Sequence, residues 1–417
     1  LRDLLAAPLM NGIFKRPEEF GSGTKLVNVY DLYPDSQIDT TQLERVITDS
    51  EELGKYQVVL GDVFFTRSSL KPEGVAWTSF VSELDEPTIF ECHLIRARTN
   101  QDKILPAFLS YYGRSSLARR YLLAKASVTT MATIDQTSIS TFPILLPPIS
   151  TQRALVAEMQ AARESRNQKL AQADALLKGI DDFVLRELGL QNPPTQTRVV
   201  YGARLKDLRA TKHLNSDYFH PERINALRVI QSGLRSARLA EFVHFVRESI
   251  APSPEMFYVG LGNVQSNTGE FVETGEQVEG QVMKFKQNDV LFGRLRPYLN
   301  KVYRAERDGV CSGEFHVIRP NRETELGREL QPDYLAAILR SSLILTQTKH
   351  MMTGNTHPRL TNEDVVNLVM PLPDKTTQAH ITREIQHRQT QARRLRAQAE
   401  TEWQAAKKRF EEQLLGE

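Results

Sequence analysis

The chain has 417 residues, 40% hydrophobic and 25% charged, which is globular composition and length enough for two or three domains. A formal net charge of +2 excludes a uniformly basic nucleic-acid-binding surface, so any DNA contact has to be local, in loops where Arg and Lys cluster. There is no apolar run of roughly 18 residues and no basic-then-apolar amino terminus, so neither a membrane span nor a secretory signal is expected and the cytoplasm is the expected location; Cys92 and Cys311, without paired spacing, exclude a disulfide framework or a zinc ribbon.

Residues 1–142 read as a mixed region of short strands and a few helices. Residues 25–30 form a strand candidate, 61–67 a turn entering a second strand, and 90–96 a third. The pattern then predicts a helix over 106–123, with Phe108, Leu109, Tyr112, Leu117 and Tyr121 near one face. Residues 134–144 lead into Leu146-Pro147-Pro148-Ile149-Ser150-Thr151-Gln152, after which one long helix is expected to about Leu188, stopped by Gly189. Its apolar seam passes through Leu155, Met159, Ala162, Arg166, Lys169, Ala173, Leu177, Ile180, Val184 and Leu188, the alternating three-four step of a coiled-coil stripe. At 1.5 Å per residue such a helix is roughly 55 Å long, the length of a spacer. Residues 191–199, rich in Asn, Pro, Thr and Gln, read as a linker.

The same unit then returns. Leu372-Pro373-Asp374-Lys375-Thr376-Thr377-Gln378 repeats the proline element, and Pro147 to Pro373, Gln152 to Gln378 and Leu155 to Ile381 are all 226 residues apart. The second seam runs through Ile381, Ile385, Arg388, Ala392, Leu395, Ala399, Trp403, Ala406, Phe410 and Leu414. Two narrow stripes of equal length each need a partner, and each is the natural partner of the other. The globular part repeats as well. Residues 288–294 mirror 61–67, Pro332 matches Pro106, Arg340-Ser341-Ser342-Leu343 matches Arg114-Ser115-Ser116-Leu117, and Leu360 matches Ile134. His316-Val317-Ile318-Arg319 is aligned with His93-Leu94-Ile95-Arg96, so that the two histidines correspond. Drift between the strands places the variation in loops, where recognition resides on a fixed scaffold. Residues 204–238, with Tyr218-Phe219-His220-Pro221, have no counterpart: either the second copy gained a segment or the first lacks its amino-terminal end, and a chain opening on Leu1 favours the second expectation.

Two globular regions, each opened by a Gly/Asn-Asp-Val strand and closed by a Leu-Pro element, a Gln and a long helix, resemble the DNA specificity subunit of type I restriction-modification enzymes over nearly the whole chain. The resemblance implies an α/β (α+β) fold with pseudo-twofold symmetry: target recognition domains at 1–149 and 191–373, the latter including the linker, and helices at 150–190 and 374–417 pairing as an antiparallel coiled coil. It implies a non-catalytic subunit that reads a bipartite, asymmetric site in double-stranded DNA. Two methyltransferase subunits dock on it and hold the restriction (motor-nuclease) subunits, with no cofactor or metal of its own. The alternative reading is a coiled-coil scaffold that pairs two protein-binding domains; the loop basicity speaks against it.

The residues offer little chemistry. Asn192-Pro193-Pro194-Thr195 superficially matches an adenine methyltransferase motif, but Thr195 cannot stack on a base and no glycine-rich cofactor strand precedes it. Asp308, Glu314 and His316 lack the lysine of a nuclease site. The DNA-binding candidates lie in loops instead. Arg294, Arg296, Tyr298, Asn300 and Lys301 follow the 288–294 strand, with Arg suited to guanine, Asn to adenine, and Lys or Tyr to phosphate. The equivalent first loop offers Arg67, Ser68 and Lys71. A second loop pair offers Asn355, His357 and Arg359 in one copy and Thr130 in the other.

Overall fold

The computed structural model describes all residues except 129, 193–199, 203–204, 206–215, 254, 276–277, 279, 353, 355 and 417. The fold is α+β, and the chain divides into two compact units, Leu1–Leu170 with Ala397–Glu417 and Ala171–Arg396. Each unit thus contains one globular region and a stretch of both long helices.

In the first unit a four-stranded antiparallel sheet has the order Met10–Asn11, Leu94–Arg98, Asp62–Thr66, Thr78–Phe80. Asp62–Thr66 is buried throughout: Val63 and Phe65 pack with Phe108, Leu122 and Phe142, whereas Phe64 packs with Val27, Leu32 and Phe90. A strand covered on both faces reads as a continuous apolar run, which is why 62–66 shows no polar alternation. The second unit repeats the order with Val243–Val246, Phe315–Pro320, Val290–Gly293 and Val302–Arg304. There, Val290 and Phe292 face one core cluster and Leu291 the other.

The turn into each central strand uses a left-handed residue, Gly61 at φ 85° and Asn288 at φ 72°, conformations that glycine and asparagine adopt most readily. It delivers a carboxylate into the core. Asp62 accepts from Arg98 Nε and Nη2 at 2.8 and 2.9 Å and from the Val59 amide at 2.9 Å. Asp289 accepts from Arg319 at 2.6 and 2.7 Å and from the Lys286 amide at 2.7 Å. This pairing corrects the sequence alignment of the third strands. Arg319 occupies the place of Arg98, and Phe292 pairs with His316 as Phe65 pairs with Ile95. The offset is therefore 319 minus 98, or 221, and His316 is equivalent to Ile95 while Glu314 is equivalent to His93. Short apolar strings align by composition in several ways, whereas a buried ion pair allows one register.

The expected 106–123 helix is two helices, Pro106–Gly113 and Ser116–Ala124. Ser115 Oγ caps the second by accepting from Ala118 N at 3.2 Å, and the Arg114 guanidinium turns inward to the carbonyls of Thr78 and Leu32, both at 2.5 Å. Burial pushes the Arg114 pKa down to about 9. The second copy breaks in the same way between Pro332–Leu339 and Ser342–Lys349, and Arg340 Nη1 donates to the Val302 carbonyl at 3.1 Å. The 25–30 strand lies earlier than expected, at Phe20–Val27, and 90–96 divides into Thr88–Phe90 and Leu94–Arg98. The unmatched segment contributes a built part of the second unit from residue 216 onward. Helix Pro221–Gln231 puts Ala226 and Ile230 into contact with its core, and Ser236–Arg238 pairs antiparallel with Val369–Pro371.

The repeated glutamine ties the proline element to the globular region. Gln152, fully buried, accepts from Leu105 N at 3.0 Å and donates to the carbonyls of Lys103 at 3.0 Å and Pro147 at 2.9 Å. Gln378, equally buried, accepts from Gln331 N at 2.9 Å and donates to Glu329 O at 3.3 Å and Pro373 O at 2.9 Å. The helices are Ile149–Lys178, Ile180–Glu187 and Lys375–Leu415. The first is interrupted at Gly179, a poor helix former, where Arg388 Nη1 donates to the Gly179 carbonyl at 2.9 Å. Within the first unit the two helices run antiparallel: Glu158 pairs with Arg409 and Lys169 with Glu402. Leu155, Met159, Ala406 and Phe410 enter the core there. Within the second unit Asp174 pairs with Arg396 and Glu187 with His380, and Val184, Leu188, Ile381 and Ile385 are core residues.

Arg319→Ala leaves the buried Asp289 carboxylate without its countercharge and is expected to destabilise the second unit by about 3 kcal/mol, while Arg319→Ala with Asp289→Leu recovers most of the loss. Urea melts of the three proteins check this; equal stability of wild type and single variant would deny the pair its structural role.

Candidate nucleic-acid interface

In both units the central strand runs out into the loop that the sequence singles out, and a second loop is strapped across it. In the first unit Arg67 N donates to His93 O at 2.7 Å and Ile134 N donates to Arg67 O at 2.9 Å, while Ser68–Ser69 pairs with Ala132–Thr133. In the second, Arg294 N donates to Glu314 O at 2.9 Å, Leu360 N donates to Arg294 O at 3.0 Å and Arg296 N donates to Pro358 O at 2.8 Å. The two candidate loops of each copy therefore form one surface, and Arg67 and Arg294 are equivalent at its centre.

The side chains divide into surface groups and braces. Lys71, Thr130, Tyr298 and His357 are exposed, and Arg67, Arg294 and Arg296 are half-buried. Arg67 Nη1 donates to Cys92 O at 3.3 Å. Arg294 Nε and Arg296 Nε are buried donors with no acceptor among the described residues. Arg296 also holds a left-handed backbone, φ 46° and ψ 62°, a strained state for a non-glycine residue of the kind that gathers at binding sites. By contrast, Ser68 and Asn300 are buried. The Asn300 amide donates to Asn267 Oδ1 at 3.0 Å and Arg340 O at 2.9 Å, and its own backbone is left-handed at φ 51°, so it fixes the loop from inside. Lys301 Nζ donates to Leu261 O at 2.6 Å. Arg359 grips Glu314 through two bonds of 3.1 and 2.7 Å, which hold the Glu314 carboxyl below the usual range. Asn355 lies outside the described residues.

Other groups that the sequence raised are accounted for locally. His316 is buried, its Nε2 lies 3.2 Å from Leu360 O, and burial pushes its pKa down to about 4, so it is a neutral support under the second loop. Burial raises the Cys311 thiol to about 12 and also raises that of Cys92, which keeps both protonated. Asp308 Oδ1 accepts from Gln287 N at 2.8 Å, and Asn192 bonds to Ser342 Oγ at 2.9 Å, while 193–195 lie outside the described residues. Sequence reasoning missed Trp77 and Glu314 as members of this surface. Trp77 follows Ala76, at φ 53°, as Lys301 follows Asn300, a parallel visible only once the backbone is known.

Asn300→Ala removes two bonds and places a residue with a poorer left-handed preference in the turn. The second unit is expected to lose about 2 kcal/mol, with faster amide exchange over 294–301 and no change over 62–71. Unchanged exchange in the loop would show that the amide braces nothing.

The fold and loops describe an internally duplicated α+β protein whose two candidate loop surfaces follow buried strands. No family model matches the sequence. The specificity subunit of the type I restriction enzyme StySPI from Salmonella potsdam is 27% identical over 239 residues, 55% of this chain and 49% of that protein. The EcoDI specificity subunit from Escherichia coli is 22% identical over 279 residues, 62% of this chain and 57% of that protein. The chain thus spans about half the length of the curated relatives it matches. A chain from a solved structure of the type I R-M system, described for its complex assembly and conformational transition, aligns over 100% of this chain and 95% of its own, with 18% identity and a TM-score of 0.51. The resemblance legible in the duplicated motifs and the names of these relatives agree: they are type I specificity subunits. Among the described residues no helix is long and apolar enough to cross a membrane.

Proposed function

We propose that this chain is the DNA-recognition subunit of a type I restriction-modification complex. In this reading 1–149 and 191–373 are target recognition domains, each reading one half of a bipartite, asymmetric site. The helices at 150–190 and 374–417 form an antiparallel coiled coil that spaces them and docks two methyltransferase subunits, and these hold the restriction subunits. The chain contributes recognition and no catalysis. The observation that carries the reading is the pair of guanidinium groups at Arg294 and Arg296, half-buried, with Nε donors lacking acceptors among the described residues and with a strained backbone at Arg296. An unsatisfied buried donor is costly, so these side chains gain by moving outward to a partner, and a base edge or phosphate oxygen is the partner that a guanidinium fork fits best.

Arg294→Ala with Arg296→Ala is expected to weaken recognition of one half-site by about 1 to 3 kcal/mol and to leave the other half-site as it was. Binding of the isolated chain to duplex DNA is expected to be weak and to fall with salt, gaining sequence preference when the methyltransferase subunit is present. Methylation mapping and binding at two salt concentrations check both points. Salt-independent binding to every duplex, or no binding even in the complex, would remove the DNA reading and leave a protein scaffold.

The spacer role has its own test. One heptad inserted after Ala173 and one after Ala399 keeps the stripe in phase and adds roughly 10 Å of helix. At about 3.4 Å per base pair the preferred gap between half-sites is expected to lengthen by up to ~3 base pairs. Those base pairs also rotate one half-site by about 100°, so activity is expected to fall unless DNA twist compensates. A folded, active variant that keeps the original spacing would separate the helices from the measurement of the gap.

A further inference from the structure

The two copies place different chemistry on the same scaffold positions around Arg67 and Arg294. Thr66 N donates to Trp77 O at 2.9 Å, and Gly293 N donates to Lys301 O at 2.9 Å, which makes Trp77 and Lys301 equivalent. By the register given above His93 is equivalent to Glu314, and Met131, three residues before Ile134, is equivalent to His357, three before Leu360. Around the second copy's arginines these positions are charged or polar. Around Arg67 they are aromatic or apolar, and they open a cavity of about 600 Å³ lined by Tyr30, Tyr33, Leu70, Trp77, His93 and Met131 among others.

The surroundings of the cavity favour one kind of occupant. Leu70, 81% exposed, and Tyr30, 51% exposed, stand uncovered at it. Glu73 and Glu91 also line it and disfavour a phosphate inside, while Lys71, which lines it as well, is exposed and can hold a phosphate at the rim. Trp77 Nε1, itself withdrawn from solvent, is a donor without an acceptor among the described residues, so a shift of the Trp77 side chain is needed to present it to the cavity. A neutral base edge that joins an apolar group to a hydrogen-bond acceptor matches this set, and in the major groove that edge is thymine, with its methyl beside O4.

We propose that the first unit reads its half-site through this cavity, which takes the methyl-bearing edge of a thymine, while the second unit uses guanidinium groups at the equivalent place. The assignment rests on the DNA-recognition reading above and adds the determinants of its asymmetry. Trp77 is also flanked by the guanidinium groups of Arg114 and Arg119, at 4.8 and 5.0 Å from its ring, so it is a poor site for truncation. Leu70 and Met131 are the residues to change.

The assembled complex is used, with methylation mapping to define both half-sites and the Arg294→Ala, Arg296→Ala variant to show which belongs to the second unit. Each thymine of the other half-site is then replaced by deoxyuridine, which removes only the methyl group. One replacement is expected to weaken binding about fourfold, the worth of one buried methyl. Leu70→Ser with Met131→Ala is expected to abolish that discrimination and to leave recognition of the second half-site intact, which also reports that the variant is folded and assembled. A first half-site that accepts uracil at every position, or a discrimination that survives in the variant, overturns the proposal while leaving the recognition function standing. A complex with no sequence preference at all overturns the recognition function itself.

Discussion

A carboxylate buried at the entry to a strand has one tolerable arrangement, and both halves of this protein are built on it. Asp62 and Asp289 are almost wholly withdrawn from solvent, and each is met by a two-pronged arginine and a backbone amide. Moving either strand by one residue would strand the charge and turn the apolar side chains to the wrong faces, so the pair fixes register more sharply than hydrophobicity does. With register fixed, the far end of the strand delivers Arg67 in one copy and Arg294 in the other to the same place. The candidate loops therefore inherit their geometry from an interaction buried in the sheet.

A second set of polar contacts transmits that order to the long helices. Gln152 and Gln378 each satisfy one amide and two carbonyls where the chain passes from globular region to helix. A glutamine amide is the one neutral side-chain head long enough to serve donors and acceptors together in such a pocket. The helix ends take part too: Ser116 N bonds to Glu411 and Ser342 N to Asp181, so in each unit a carboxylate from one helix caps a short helix of the globular region. Every such contact has its copy, and the energetic logic of the scaffold is written twice.

Apart from the segment ending in Pro221–Gln231 and Ser236–Arg238, which the first copy lacks, the copies differ around the central strands in loop residues. The Glu314–Arg359 pair and the Lys301 anchor fill the second unit's surface at positions where the first has His93, Thr133 and Trp77. A scaffold held by buried polar contacts tolerates such exchange, because the loop side chains carry little of the stability. That separation of framework from loop surface lets two related halves present unlike chemistry.

The sequence by itself determined the duplication, the central strands, the helix seams and the loops that follow those strands. Those features are local or periodic: an apolar run after a Gly-Asp or Asn-Asp turn, a three-four stripe, and a proline followed at fixed distance by glutamine. It matched Arg114 with Arg340 but ran one helix through 106–123, since an inward guanidinium that ends a helix has the same letters as a solvated one. Only the tertiary structure decided the register that makes His316 the counterpart of Ile95, the interior role of Asn300, and the grouping of Trp77 with Met131 around Arg67. Each depends on which backbone group a side chain meets across tens of residues of chain. Such meetings are set by three-dimensional packing, and no pattern of neighbouring residues encodes them.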